Sequence, residues 1–180
     1  MSTIKYEIEF FSNWHCGSGL AAGADVDALV IKDKNRLPYI PGRTLKGLLR
    51  EAAIILFADN DIISAVFGVS GDKEDHMTGC AFFGNATLPV AEYHYIVEQE
   101  LASHLYQSFA STSIDEKGIA KDHSLRKIET VVPCKLDGEI LNIPDGAEHV
   151  LEDAMRYVKR MGTGRNRGYG RCKISVRKEA

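Results

Sequence analysis

Leu37-Pro-Tyr-Ile-Pro-Gly-Arg-Thr-Leu-Lys-Gly-Leu-Leu-Arg50 decides how the chain is to be read. Two prolines restrict φ and one glycine frees it, so residues 35–42 predict a rigid turn. Thr44 stands where an N-cap belongs. Leu45, Leu48, Leu49, Ala52, Ala53 and Leu56 then recur at spacings of three and four, which predicts an amphipathic helix. Upstream, Ile4, Tyr6, Ile8 and Phe10 alternate with polar residues, the period of a half-buried strand. Asn13 to Ala24, rich in glycine and small residues, reads as a loop, and Ala28 to Ile31 as a short apolar strand. Strands before a helix in this order predict an α+β class.

Downstream, Asp59 to Met77 reads as an excursion with a short apolar helix around Ile62–Phe67. Thr78 to Leu88, with Phe82 and Phe83, predicts a second long strand, and Tyr93 to Phe109 a helix. Ser111 to Val132 is polar and charged and reads as a hairpin or protruding loop. Ala147 to Met161 is amphipathic, with Val150, Leu151, Ala154, Tyr157, Val158 and Met161 on one helical face. A glycine-rich segment, Gly162–Gly170, and a strand, Arg171 to Val176, follow. This order predicts a ferredoxin-like α+β arrangement with insertions, in one domain over residues 1–180. There is no internal repeat and no low-complexity segment.

Bulk properties exclude several classes. The 180 residues are 44% hydrophobic and 26% charged, ordinary for a water-soluble globular protein. No run of 18 apolar residues occurs, and Met1 to Phe11 lacks the basic-then-apolar form of a secretion signal, so the expectation is a cytoplasmic protein without a membrane span. Cys16, Cys80, Cys134 and Cys172 are scattered, with no Cys-x-x-Cys pair, which speaks against a disulfide framework or a zinc site. The net charge is −3, yet its distribution is uneven. Lys159 to Lys178 holds eight basic residues and no acid. Lys32 to Arg50 holds Lys32, Lys34, Arg36, Arg43, Lys46 and Arg50 against Asp33 alone. Acids gather at Asp59, Asp61, Asp72, Glu74, Asp75, Glu92, Glu98 and Glu100. A protein with charged faces of opposite sign suits a polyanion on one side and a protein neighbour on another.

Gly162-Thr-Gly-Arg-Asn-Arg-Gly-Tyr-Gly170 is the sharpest local signal. Gly162, Gly164, Gly168 and Gly170 let backbone lie against a ligand. Arg160, Arg165, Arg167 and Arg171 call for an anionic one. The spacing Gly-x-Gly-x-x-x-Gly, after a helix and before a strand, departs from the dinucleotide fingerprint, which needs a helix N-terminus for the pyrophosphate. Arg167-Gly-Tyr-Gly170 matches the first four positions of an RNA-recognition signature, but the later stacking positions are Arg171 and Ile174. A basic glycine loop that tracks a phosphate backbone accounts for both residue types. On the predicted helix, Arg43, Lys46 and Arg50 share one face near its N-terminus, where consecutive phosphates could sit. The two basic segments are expected to converge on one side of the fold.

Four stretches, in order, resemble the repeat-associated mysterious protein (RAMP) superfamily of CRISPR systems, and within it the type III backbone-subunit branch. They are His15-Cys-Gly-Ser-Gly19, Leu37–Arg50, Ser113–Glu129 and Gly162–Lys173. One departure is Asn85, in Phe83-Gly-Asn-Ala86, where that family commonly has aspartate. The resemblance implies a ferredoxin-like core with a projecting thumb, here residues 111–132, and copies that stack along a guide RNA (crRNA) in a filament. It implies guide contacts from Lys117, Lys121, His123, Arg126 and Lys127, and as further partners target single-stranded RNA and other effector subunits. By the same resemblance Asp27, with Asp25 two residues earlier, falls where a loop aspartate cleaves target RNA with Mg²⁺ or another divalent metal. The alternative chemistry is general acid–base processing of the guide precursor through His15. A stand-alone RNA-binding domain is a third reading.

Overall fold

β1 (Ser2–Phe10) is the spine of the fold. It has antiparallel neighbours on both sides, and its alternating residues Ile4, Tyr6, Ile8 and Phe10 are all buried. The computed structural model describes residues 1–20, 26–58, 60–69 and 77–177. After β1 come α1 (Gly42–Leu56), α2 (Asn60–Phe67), β2 (Gly68–Val69), β3 (Met77–Thr78), β4 (Phe82–Phe83) and α3 (Val90–Glu98). A 3₁₀ turn at Leu101–Leu105 leads into β5 (Tyr106–Ser111), β6 (Arg126–Val131), β7 (Lys135–Ile143) and α4 (Glu148–Tyr157). A second 3₁₀ turn at Arg165–Arg167 precedes β8 (Cys172–Val176). The main sheet is antiparallel throughout, in the order β4-β7-β1-β8. β5 and β6 form a separate two-stranded hairpin.

The two long amphipathic helices cover the apolar face of the sheet. α1 buries Leu45, Leu49, Ala52 and Ala53, and α4 buries Val150, Leu151, Ala154 and Met155. Both join Ile8, Leu136, Ile140 and Ile174 in one core. The other strand face carries charge. Lys135 and Arg177 pair with Glu7 at 3.1 and 3.0 Å, and Arg177 pairs with Asp137 at 2.6 Å. Cys16, Cys80, Cys134 and Cys172 are free thiols.

Several expectations need correcting. β7, nine residues long and central to the sheet, is not readable in the sequence because its period of two is hidden. The inward position between Leu136 and Ile140 is Gly138, covered by the Tyr6 ring. Asn142 then takes a left-handed conformation, φ 56°, and the register against β1 shifts there. Of the long strand expected at Thr78–Leu88, Thr78 ends β3 and Phe82–Phe83 form β4, followed by bridges from Ala86 to Ile40 and from Thr87 to Asp137. The helix expected over Tyr93–Phe109 ends at Glu98. Residues from Tyr106 on are a strand, as their aromatic and alternating composition allows. Ala28–Ile31 makes isolated bridges from Ala28 and Val30 rather than a strand. Thr44 is not the N-cap: α1 opens at Gly42, whose N–H is taken by Asn85 Oδ1 at 2.9 Å. A side chain at Gly42 would strike the Phe83 carbonyl, so this glycine seats α1 against β4.

Candidate nucleic-acid interface

Residues Phe11 to His15, just beyond β1, work as a strap between two segments far apart in sequence. On one side they hold the β5–β6 hairpin. Trp14 exchanges backbone hydrogen bonds with Val131 at 3.0 and 2.8 Å. The Asn13 amide donates to Gln107 Oε1 at 2.9 Å and Thr130 Oγ1 at 3.1 Å. His15 Nδ1 lies 2.6 Å from the Glu129 carbonyl. A carbonyl only accepts, so Nδ1 carries the hydrogen. On the other side the strap holds the glycine loop. Thr163 N–H donates to the His15 carbonyl at 3.0 Å and Gly170 N–H to the Asn13 carbonyl at 2.8 Å. Gly162 and Gly170 are left-handed, with φ 83° and 69°. A Cβ at Gly162 would strike the His15 carbonyl, and one at Gly170 the Met161 carbonyl. Close backbone approach therefore explains these two glycines.

The strap brings hairpin and loop face to face across a groove of about 720 Å³. Its walls carry Arg126 from β6, Arg165 and Arg167 from the loop, and Phe109 and Tyr169. The two rings meet edge to face, with centroids 5.8 Å apart and planes at 61°. Tyr169 is set in turn by Gly164, where a side chain would crowd its ring. Among the described residues no acidic side chain lines the groove. Guanidinium groups keep their charge at any physiological pH and stack on planar groups. Fixed cations beside exposed aromatic faces are what a single-stranded nucleic acid needs, one set for phosphates and the other for bases.

Glu129 braces the hairpin from behind. Its carboxylate accepts from Lys32 Nζ at 2.7 Å and from Val30 N–H at 3.0 Å. Lys32 also sits 4.0 Å above the Tyr106 ring. Burial pushes the Tyr106 phenol up, so it stays protonated and donates to the Arg36 carbonyl at 2.6 Å.

The remaining predicted residues are spread around this groove. Lys117, Lys121 and His123 lie on the exposed hairpin tip, and Lys127 on β6. Arg160 donates to the Arg165 carbonyl and so shapes the glycine loop. Arg171 lies over the Phe11 ring at 5.7 Å, and Ile174 is in the core. Arg43, Lys46 and Arg50 line neither this groove nor the cavities between α1 and the loop, which are met by Thr44, Leu48, Glu51 and Ile55. Each residue turns a helix by about 100°, which puts Lys46 and Arg50 on the flank away from Leu48 and Ile55. The basic face of α1 and the basic loop therefore do not share one groove. His15 is buried, 3% accessible.

Asp27 is exposed and tied to the hairpin. Its Oδ2 accepts from Lys127 N–H at 2.7 Å, and its own N–H donates to the Lys127 carbonyl at 2.9 Å. Asp25 lies outside the described residues. Among the described residues no group of three or more His, Cys, Asp or Glu side chains could hold a metal ion.

Phe109 and Tyr169 were not among the expected contacts. Phe109 falls in a stretch that reads as helix, and Tyr169 belongs only to a partial signature. No signal in sequence pairs residues 60 positions apart.

A family model described as the RAMP superfamily matches residues 7–173. Among curated proteins none matches the sequence. Among the solved structures that resemble the chain, two do so over nearly its whole length and serve as examples. One is a subunit of a type III-B Cmr-beta complex bound to cognate target RNA, with TM-score 0.78, 11% identity, and coverage of 98% of this chain and 97% of that one. The other is from the apo state of type III-B Cmr-beta, with TM-score 0.74, 14% identity, and 98% of each chain covered. At such identities the likeness is one of fold.

Proposed function

The chain belongs to the RAMP superfamily, and from that premise we propose that it is an RNA-binding subunit of a type III CRISPR ribonucleoprotein effector. Guide RNA runs along the groove between the β5–β6 hairpin and the glycine loop. The observation that carries this reading is the convergence of Arg126, Arg165 and Arg167 beside Phe109 and Tyr169 in a groove that no acid lines among the described residues. The Cmr-beta complex that shares the fold was solved on cognate target RNA, which supports RNA and other effector subunits as partners here too. In this reading the sheet is ferredoxin-like: β1, α1, β4, β7, α4 and β8 follow as β-α-β-β-α-β in one domain, and the hairpin is the thumb. Arg43, Lys46 and Arg50 form a second, separate contact for RNA, and copies stack along the guide in the cytoplasm. The ion-paired face of the main sheet, with Glu7 and Asp137 where an RNA-recognition domain presents stacking aromatics, is left free of RNA.

Single-stranded RNA of about guide length, titrated by fluorescence anisotropy over a range of salt, tests this. Replacing Arg126, Arg165 and Arg167 together with alanine is expected to weaken binding and to flatten the log–log salt slope by about 2. An unchanged slope would place the phosphates elsewhere.

A second reading, cleavage of bound target, is favoured by the exposed carboxylate of Asp27 beside the thumb. A hydrated Mg²⁺ takes as little as one carboxylate from a protein, so Asp27 suits a loosely held ion rather than a closed cage. Bound there, such an ion would stabilise charge building on a scissile phosphate. Asp27 itself positions the Lys127 segment through Oδ2 and leaves Oδ1 without a protein partner among the described residues. Asp27→Asn keeps the hydrogen-bond acceptor and removes the charge. It should abolish Mg²⁺-dependent cutting of bound target and leave RNA affinity intact; cutting that persists would remove Asp27 from the chemistry. Processing through His15 draws no support from a ring that is buried and bonded to Glu129.

A further inference from the structure

Gly47 stands in the middle of α1, where glycine weakens a helix relative to alanine. The other glycines described have a reason in the fold: a left-handed backbone or a neighbour that a Cβ would meet. Gly47 has neither, because its φ is helical and nothing lies within 4 Å of where a Cβ would sit. The clearance it leaves opens on a cavity of about 310 Å³, at the small end of ligand sites.

That cavity is walled by Trp14, Ile40, Leu48 and Met161, with Glu51 and Arg165 also lining it. The last two have opposite charge, yet they make no ion pair with each other, and among the described residues no side-chain hydrogen bond occupies either. A free anion would be repelled by Glu51. A purely apolar ligand would leave both charges unused. A molecule with a flat ring that donates hydrogen bonds, joined to a phosphate, satisfies walls and charges together. Arg165 and Gly162 line this cavity and the thumb groove alike, so a strand in the groove passes the cavity mouth.

We propose that the cavity under Gly47 seats one unpaired nucleobase of the bound RNA, with its edge donating to Glu51 and its phosphate on Arg165. This rests on the RNA-binding reading above and adds where one base goes. Carboxylates accept from ring N–H and amino groups, and guanine offers both side by side on one edge, so guanine is the preferred occupant.

Trp14 is the only tryptophan in the chain and lines the cavity, so its fluorescence reports occupancy directly. Titrating the full chain with guanosine monophosphate should quench Trp14, and inorganic phosphate at the same concentration should not. Gly47→Leu fills the cavity while improving helix propensity, so its thermal midpoint should match or exceed that of the unaltered chain by about 2–4 °C. Its affinity for guanosine monophosphate should nonetheless fall tenfold or more. Glu51→Gln should erase the preference for guanosine over uridine monophosphate. If the unaltered chain binds single-stranded RNA by anisotropy but guanosine monophosphate leaves Trp14 unquenched, or if Gly47→Leu binds the nucleotide as before, the base seat is wrong and the RNA reading stands. If the unaltered chain binds no single-stranded RNA, the RNA reading falls and the seat with it.

Discussion

Gly168 and Gly170 are two residues apart and both left-handed, with φ 91° and 69°, but they do different things. Gly168 has open space where a side chain would go, and Gly170 has the Met161 carbonyl. Gly168→Ala should therefore lower stability by only the backbone penalty, roughly 1–2 kcal/mol. Gly170→Ala adds a collision with the Met161 carbonyl and should lose more than about 2 kcal/mol, together with RNA affinity. Urea unfolding of the two variants checks the order; equal losses would mean that the close approach of Gly170 to Met161 is not needed. At this scale the glycines were legible as places of close approach, because glycine is the one residue whose presence is argued by what it lacks. What approaches them was not legible. His15 looked available for chemistry from its glycine-rich surroundings, and only its contact with Glu129, 114 residues away, shows it holding two segments together.

The hairpin is the element that stands apart from the core. Between Ser111 and its partner Arg126 the tip is organised by its own bonds. Asp115 Oδ1 accepts from the Lys117 and Ile119 N–H groups at 2.9 and 2.8 Å, and the Ser124 hydroxyl donates to the Lys121 carbonyl at 2.7 Å. Ile114, Ile119 and Leu125 remain 61–65% exposed there. Replacing residues 113–124 by a two-residue Asn-Gly turn should leave the thermal midpoint within about 2 °C, since no core contact is removed. The same change should reduce assembly on RNA, read by size-exclusion chromatography of protein–RNA mixtures. A large drop in midpoint would show the tip to be structural. Among elements, β1, α1, α4 and β8 were legible because their apolar residues keep a clean period. β7 was not, because Gly138 and the bulge at Asn142 break its alternation. The basic face of α1 was legible as a face, but its direction was set by which residues α4 and the sheet bury.

The molecule as a whole separates its charges by surface. Its ion-paired sheet face predicts an acid response. Burial alone would raise the Glu7 carboxyl, but hydrogen bonds from Arg177 and Lys135, with their charges, outweigh it and hold Glu7 below its ordinary 4.5. A carboxyl depressed in the folded state contributes stability above its unfolded pKa, and that contribution is lost as pH falls through the folded value. Urea midpoints measured downward from pH 7 should hold until about pH 4.5 and then decline. Glu7→Gln should be less stable at pH 7 and show a shallower decline. A variant with the same acid limb as the unaltered chain would mean that the Glu7 cluster carries no linkage.

Composition, periodicity and turn chemistry alone determined the class of the fold, the position of its main helices, the presence of a polar hairpin and the basic character of the glycine loop. These follow from local physics, in which each residue's neighbours in sequence suffice. The groove at Arg126, Arg165 and Arg167, the pairing of Phe109 with Tyr169, the burial of His15 and the divergence of α1's cations from the loop were decided only in three dimensions. Each depends on which distant segments a strap of backbone hydrogen bonds brings together, and the direction in which a packed helix turns its remaining faces is set by what it must bury.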